Sequence, residues 1–279
     1  MRTLADDMKS KSTEPEAYYD VNSLLKDDKK IVTFMGASQS GTSFILNNVA
    51  QFFAAKGVDV AILDATRNKN AYYIYTKNEE ALRKVASSSI EKLAEGEAKG
   101  IKVNNNLTVY TTMPGEDKYI QAVEPILETL LKKHSLILID CDFKTPIDYF
   151  EYATEIYLVQ TMEVLTIQPF TEVLSELKNK GMLLESKLRI IINKYLEVNG
   201  ITEKEIIGGM AYYNDPSMAY MKELFNKNFV PYMTIPFNKQ IYEKYVVAVA
   251  NCDINLQGYP EEFLDLLEQL CKEIYPLED

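Results

Sequence analysis

The stretch Met35-Gly-Ala-Ser-Gln-Ser-Gly-Thr-Ser-Phe44 lies between an apolar run, Ile31-Val-Thr-Phe34, and a run of helical character from Ile45 to Lys56. A strand, a loop of small residues and a helix in that order form the layout of a phosphate-binding loop, in which backbone N–H groups and a helix N-terminus face an anion. The spacing agrees, because Gly36, four intervening residues, Gly41, Thr42 and Ser43 follow one another. The position where such a loop carries lysine holds Thr42. The same ten residues also fit a tight turn without a ligand, so the decision rests on the rest of the chain.

Outward from this stretch, apolar segments of two kinds alternate. Strands are expected at Ile31–Met35, Val58–Leu63, Leu107–Thr111, Leu136–Asp140, Glu155–Gln160, Leu188–Asn193 and Pro231–Ile235. Several are unbroken runs of Ile, Leu and Val, as parallel strands covered on both faces require. Helices are expected at Thr42–Lys56, Asn78–Glu95, Lys118–Lys133, Leu165–Lys180, Ser217–Asn226, Lys239–Ala248 and Glu261–Ile274, with Gly57, Gly96 and Gly181 placed as C-caps. Strand–helix alternation predicts an α/β fold, a doubly wound and mostly parallel sheet of about seven strands with helices on both faces. Residues 1–29 read as a flexible polar arm, and 30–279 as a single domain ending in an acidic helix.

Composition narrows the function classes. The 279 residues are 47% hydrophobic and 25% charged, which is ordinary for a globular protein. No apolar run approaches the ~18 residues of a membrane span, and the N-terminus lacks the apolar core of a secretory signal. The net charge of −11 disfavours DNA and anionic lipid as partners. The only histidine, His134, argues against a histidine metal site or a Ser-His-Asp triad, and Cys141, Cys252 and Cys271 have no metal-ligand spacing. A reducing cytoplasm is the expected setting. Nineteen tyrosines, some paired as Tyr18-Tyr19, Tyr72-Tyr73 and Tyr212-Tyr213, are readable either as interface anchors or as half-buried core.

Ligands of such sheets sit at the carboxyl ends of the strands, and four of those ends carry specific groups. After the first strand comes Gly36–Ser43, whose Ser43 hydroxyl is placed to ligate Mg²⁺. The second ends in Asp64. The strand Leu136-Ile-Leu-Ile139 ends in Asp140, a position from which a carboxylate holds a metal directly or through water. Asn193 follows Leu188-Arg-Ile-Ile-Ile192 and carries an amide able to donate and accept at a purine edge. Each alone has a plain alternative, as turn residue or helix cap.

Together these four sites resemble the MinD/ParA group of P-loop ATPases over about Lys30 to Ala248. That group has a glycine-rich loop of the form K-G-G-x-G-K-[ST], a second strand ending in D-x-D, a later hydrophobic strand ending in Asp, and adenine contacts from an Asn and an Ile-Pro-like loop. The counterparts are Gly36–Ser43, Asp64-Ala65-Thr66 with Asn70 beyond, Leu138-Ile139-Asp140, Asn193, and Ile235-Pro236-Phe237-Asn238. The resemblance implies ATP contacts from Gly36, Ala37, Ser38, Gln39, Ser40, Gly41, Thr42, Ser43, Phe44, Asn193, Pro236, Phe237 and Asn238. It implies Mg²⁺ near Ser43, Asp64 and Asp140, with catalytic roles for the two acids. Among subgroups, the CpaE/TadZ-like proteins of pilus and secretion systems are the nearest, since some carry Gly-Thr-Ser-like loops as Gly41-Thr42-Ser43 does here.

Three departures bear on chemistry. The lysine that reaches across a dimer in that group maps to Ala37, the loop lysine to Thr42, and the second Asp of D-x-D to Thr66. The expectation is an ATP-binding switch or scaffold, homodimeric and working with protein partners of a larger machine, with very slow or no hydrolysis. Arg67, Lys69 and Lys144 are candidates to replace the lost cations, against a reading of each as a solvated surface charge. The alternatives are a working partitioning or positioning ATPase and a pseudo-ATPase with an empty pocket. The last helix, Glu261–Ile274, is amphipathic but acidic, which favours packing on the domain or a partner over membrane docking. Recruitment to a membrane or pole would then run through a partner.

Overall fold

Strand β1 (Lys30–Gly36) lies at the centre of the molecule because its two faces supply two cores. Ile31 and Met35 face one apolar cluster and Val32 and Phe34 the other. The same alternation continues on β5 (Leu136–Cys141), where Ile137 and Ile139 oppose Leu136 and Leu138. This is why the strands read as unbroken apolar runs rather than alternating ones. The computed structural model describes residues 20–277 except 27, 117, 164–167, 183, 208–225 and 227.

The remaining strands are β2 (Val60–Asp64), β3 (Ile101–Lys102), β4 (Leu107–Tyr110), β6 (Glu155–Gln160), β7 (Leu188–Tyr195) and β8 (Tyr232–Pro236). They form one sheet in the order β3-β4-β2-β5-β1-β6-β7-β8. Every pairing is parallel except β3 with β4. The eight strands include one more than the seven expected, because β3 is a two-residue edge strand too short to leave a periodic signal.

One face is covered by α1 (Val21–Leu24), α5 (Val123–Lys133), α6 (Asp148–Tyr152) and α7 (Gln168–Asn179). The other is covered by α2 (Thr42–Ala55), α3 (Asn70–Tyr75), α9 (Lys239–Ala250) and α10 (Glu261–Ile274). Helix α4 (Glu80–Ala94) contributes to both clusters at the sheet's edge, and a short α8 (Glu203–Ile207) follows β7. The expected helix from Asn78 starts instead at Glu80, since Lys77 and Asn78 adopt positive φ of 49° and 60°. The expected helix from Lys118 is a 3-10 turn, Tyr119–Gln121, followed by α5, because Ala122 (ψ 62°) breaks the ladder. The expected helix Ser217–Asn226, Tyr18-Tyr19, Tyr212-Tyr213 and most of the N-terminal arm lie outside the described residues, apart from Asn226 itself.

The acidic helix α10 buries Phe263, Leu267, Leu270, Cys271 and Ile274 in the core cluster it shares with α2. Its apolar stripe is therefore used inside the domain. Among the described residues no helix is long and apolar enough to cross a membrane.

His134 follows α5 and is 1% exposed. Its Nδ1 lies 2.8 Å from Asp59 Oδ1 and its Nε2 2.8 Å from the Tyr110 hydroxyl, so a neutral ring donates to Asp59 and accepts from Tyr110. Burial pushes the imidazole below its ordinary 6.5, against an opposing pull from Asp59. The unfolded chain thus takes up this proton first as pH falls. The His134 contribution is complete above the ordinary value and declines from there down to the lowered folded value. We expect His134→Gln to cost ~1–3 kcal/mol at neutral pH, by stranding the Tyr110 hydroxyl. Urea midpoints from about pH 7.5 down to about pH 5.5 should fall more steeply for wild type than for the variant, and parallel profiles would contradict the assignment.

Candidate functional site

The loop from Gly36 to Ser43 is shaped by close approaches that only glycine permits. A Cβ at Gly36 would lie 1.9 Å from Thr42 Oγ1 and 2.3 Å from Ser40 Oγ. Gly41 caps α2 with φ 91°, and a Cβ there would lie 2.2 Å from Asn193 Nδ2. Inside the loop the Ser40 and Thr42 hydroxyls are 3.0 Å apart and both residues are buried. Asn193 donates its amide to the Ser40 carbonyl at 2.7 Å, and Lys194 donates to the Gln39 carbonyl at 2.8 Å. The loop is thus braced by β7, and its free end is the N-terminus of a 14-residue helix. Ser38 and Gln39 are exposed at its tip, while Ala37 is buried.

Beneath the loop, Ser43 Oγ donates to Asp140 Oδ2 at 2.6 Å. Asp140 and Asp64 face each other in register across β5 and β2, and both are buried. Their surroundings differ. Asp64 accepts from the Thr66 amide (3.1 Å), the Thr66 hydroxyl (2.6 Å), the Ala71 amide (3.0 Å) and the Thr111 hydroxyl (3.3 Å). Burial raises its carboxyl, while Lys69, Thr66 and the Ala71 amide pull it back. Asp140 is raised to about 8 by burial and then by the Asp64 charge, with Ser43 opposing. Burial raises both acids, and Asp64 is the one that Lys69 and several hydrogen-bond donors hold back.

Of the three cations considered from sequence, Arg67 and Lys144 are exposed. Lys69 is fully buried, with its ammonium 3.3 Å from the Asp64 carbonyl. A lysine in a polar loop after a strand gives no sequence sign of burial, so this counter-charge was legible only as a candidate. Asp142 and Thr145 were missed altogether. Asp142 accepts from the Arg67 amide and the Lys144 amide, both at 2.7 Å, and Thr145 donates to the Ala65 carbonyl at 3.1 Å. These bonds stitch the loop after β2 to the loop after β5. The closeness of Asp142 to Asp140 in sequence was the available clue.

Beside the loop is a cavity of about 300 Å³ between β7, β8 and α9. Asn193, Phe237, Tyr242 and Tyr245 line it, together with Ile235 and Ile241. Phe44, Gly41, Pro236 and Asn238 reach the same cavity, so the residues expected from the loop and from the Ile-Pro segment converge. Phe44 also packs edge-on against Tyr245 (4.9 Å) and stacks with Phe263 (5.5 Å), which ties α2 to α9 and α10. Asn238 caps α9 through bonds from the Gln240 and Ile241 amides.

The donor set fits a nucleotide with a hard cation. A glycine-shaped loop on a helix N-terminus suits phosphate. The Ser43 hydroxyl and Asp140 carboxylate are oxygen donors of the kind Mg²⁺ takes, in the small number it needs when phosphates supply the rest. Among the described residues no group of three or more His, Cys, Asp or Glu could hold a metal by itself.

The raised Asp140 makes a signed prediction. Its folded value lies above the 3.8 of an ordinary Asp, so the ligand-free fold loses stability as pH rises from there toward 8. Asp140→Asn should therefore melt above wild type, by about 2–4 °C per kcal/mol recovered. Scanning calorimetry should show the margin widening from about pH 5.5 to about pH 8, and a constant or negative margin would contradict it.

Solved structures share this architecture. McdA of Cyanothece in a complex with ATP superposes with a TM-score of 0.64 at 13% identity, covering 91% of this chain and 99% of that one. A plasmid partition protein of Borrelia burgdorferi bound to AMPPNP gives 0.59 at 16%, covering 88% and 100%. MinD of Pyrococcus horikoshii with Mg-ADP gives 0.58 at 18%, covering 89% and 97%. No protein-family model and no curated protein matches the chain significantly. At these identities the likeness establishes architecture: this chain has the fold of the MinD/ParA P-loop ATPases.

Proposed function

We propose that this protein is an ATP·Mg²⁺-binding switch or scaffold that holds its nucleotide and hydrolyses it very slowly. The observation that carries the reading is the Ser43–Asp140 hydrogen bond beneath a loop braced by Asn193. It joins the hydroxyl and carboxylate that would hold Mg²⁺ at the foot of an anion-shaped cradle. Gly36 to Ser43 would hold the phosphates, and the cavity walled by Phe44, Pro236, Phe237 and Asn238 would take the base. Bound Mg²⁺ would neutralise phosphate charge. Asp140 would have to give up its proton to join it, which makes binding favour higher pH. Asp64 is held by three hydrogen bonds from the segment that follows it and a fourth from Thr111.

Slow chemistry follows from what stands at the charged positions. Ala37 is buried and apolar, and the Thr42 and Thr66 hydroxyls are engaged with Ser40 and Asp64. Removing one well-placed charge-stabilising donor costs ~10²–10³ in rate, and three groups are replaced together. Lys69 is buried against the Asp64 carbonyl, while Arg67 and Lys144 face solvent.

The subgroup reading is CpaE/TadZ-like, with a homodimer and protein partners in a pilus, secretion or positioning system, in the cytoplasm or brought to a membrane or pole by a partner. The Gly41-Thr42-Ser43 loop supports it. A partitioning ATPase that coats DNA is disfavoured by the −11 charge. Direct membrane docking through the last helix is disfavoured by its internal packing. We expect ATP·Mg²⁺ to shift the mass seen by light scattering, and Gly41→Val to abolish the shift by filling the space held by Asn193. Steady-state phosphate release should stay far below ~1 s⁻¹. Turnover at or above that rate would overturn the slow-switch reading.

A further inference from the structure

We infer that Lys194 supplies the positive charge that the phosphate loop itself lacks, and that its ammonium pairs with the phosphates of the bound nucleotide. The inference rests on the nucleotide reading above and adds a binding residue to it. Ala37 and Thr42 leave the loop without a cation, so any charge attraction for a polyphosphate beyond the backbone amides must come from outside it.

An irregularity in β7 brings Lys194 to the loop. The pairing with β8 passes from Asn193–Ile235 to Tyr195–Pro236, which leaves Lys194 as an extra residue on its strand. Its φ of 54° lies in the left-handed region that residues with a side chain rarely adopt. In a regular strand successive side chains point to opposite faces. Here two successive residues reach the same loop, Asn193 donating to the Ser40 carbonyl at 2.7 Å and Lys194 to the Gln39 carbonyl at 2.8 Å. Re-aiming a side chain is what bulges of this kind do beside binding sites.

Two cavities flank the loop, the one of about 300 Å³ already described and another of about 350 Å³ beside Thr161 and Glu163. Lys194 lines both, and among the described residues no other Lys or Arg lines either. The Gln39 carbonyl is the only partner of its ammonium among the described residues. An ammonium carries three N–H donors, so one bond to a neutral carbonyl leaves capacity for a phosphate oxygen, whose charge makes it the stronger acceptor. The flexible four-carbon stem lets the ammonium move there. Attraction that acts on the nucleotide before and during bond breaking alike tightens binding without speeding hydrolysis, which agrees with a slow switch.

The test is calorimetric titration of the full chain with ATP and Mg²⁺ at two ionic strengths, on wild type, Lys194→Gln, Lys194→Asn and Lys194→Arg. Gln keeps a donor for the loop carbonyl, Asn suits the left-handed backbone, and Arg keeps the charge. The two uncharged variants should lose about 10- to 100-fold in affinity at low salt, the range of a hydrogen bond to a charged group. That loss should shrink at high salt, and Lys194→Arg should keep most of the wild-type affinity. Wild-type affinity in both uncharged variants, or the same loss in all three variants, would overturn the inference and leave the nucleotide site standing. Absence of ATP binding to wild type at millimolar concentration would overturn both.

Discussion

Two carboxylates, Asp64 and Asp140, end neighbouring parallel strands in the same register, and both are shut away from water. Side by side in a low dielectric, they cannot both ionise without help. The arrangement around them answers that constraint. Thr66, Ala71 and Thr111 converge on Asp64, Lys69 is buried beside it, and Asp140 is left with the Ser43 hydroxyl. Asp142 and Thr145 hold the two loops together above the pair. Much of the carboxyl edge of the sheet is organised around the hydrogen bonds that hold these two acids in place.

That division explains why the departures from the expected loop are coherent rather than damaging. With Thr66 bonded to Asp64, the position that would orient an attacking water instead stabilises the second strand's acid. With Thr42 bonded to Ser40, the loop closes on itself without a lysine. Asn193, bound to the Ser40 carbonyl, braces the loop from β7. A site lacking these charges and still shaped for phosphate is suited to holding a ligand and reporting its presence.

The sequence made the fold legible because parallel buried strands and their helices leave long unambiguous runs, as Leu136–Asp140 and Thr42–Lys56 do. It was silent on β3, whose two residues have no period, and on the 3-10 turn before α5, where a single ψ at Ala122 decides. The positions of Ser43, Asp64, Asp140 and Asn193 were readable because each follows an apolar run directly. The burial of Lys69 and the bridging role of Asp142 were not, because they depend on two loops that meet only in three dimensions. The engagement of the Asn193 amide was hidden for the same reason, since Ser40 lies on the far side of the fold in sequence.

A cradle that binds ATP and hydrolyses it very slowly should keep its nucleotide intact. The most direct measurement is to incubate the full chain with ATP and Mg²⁺, recover it by rapid gel filtration, denature it, and identify the released nucleotide by ion-exchange chromatography. Near-stoichiometric unhydrolysed ATP is the predicted result. Recovery of ADP alone, or of chain carrying no nucleotide, would contradict it.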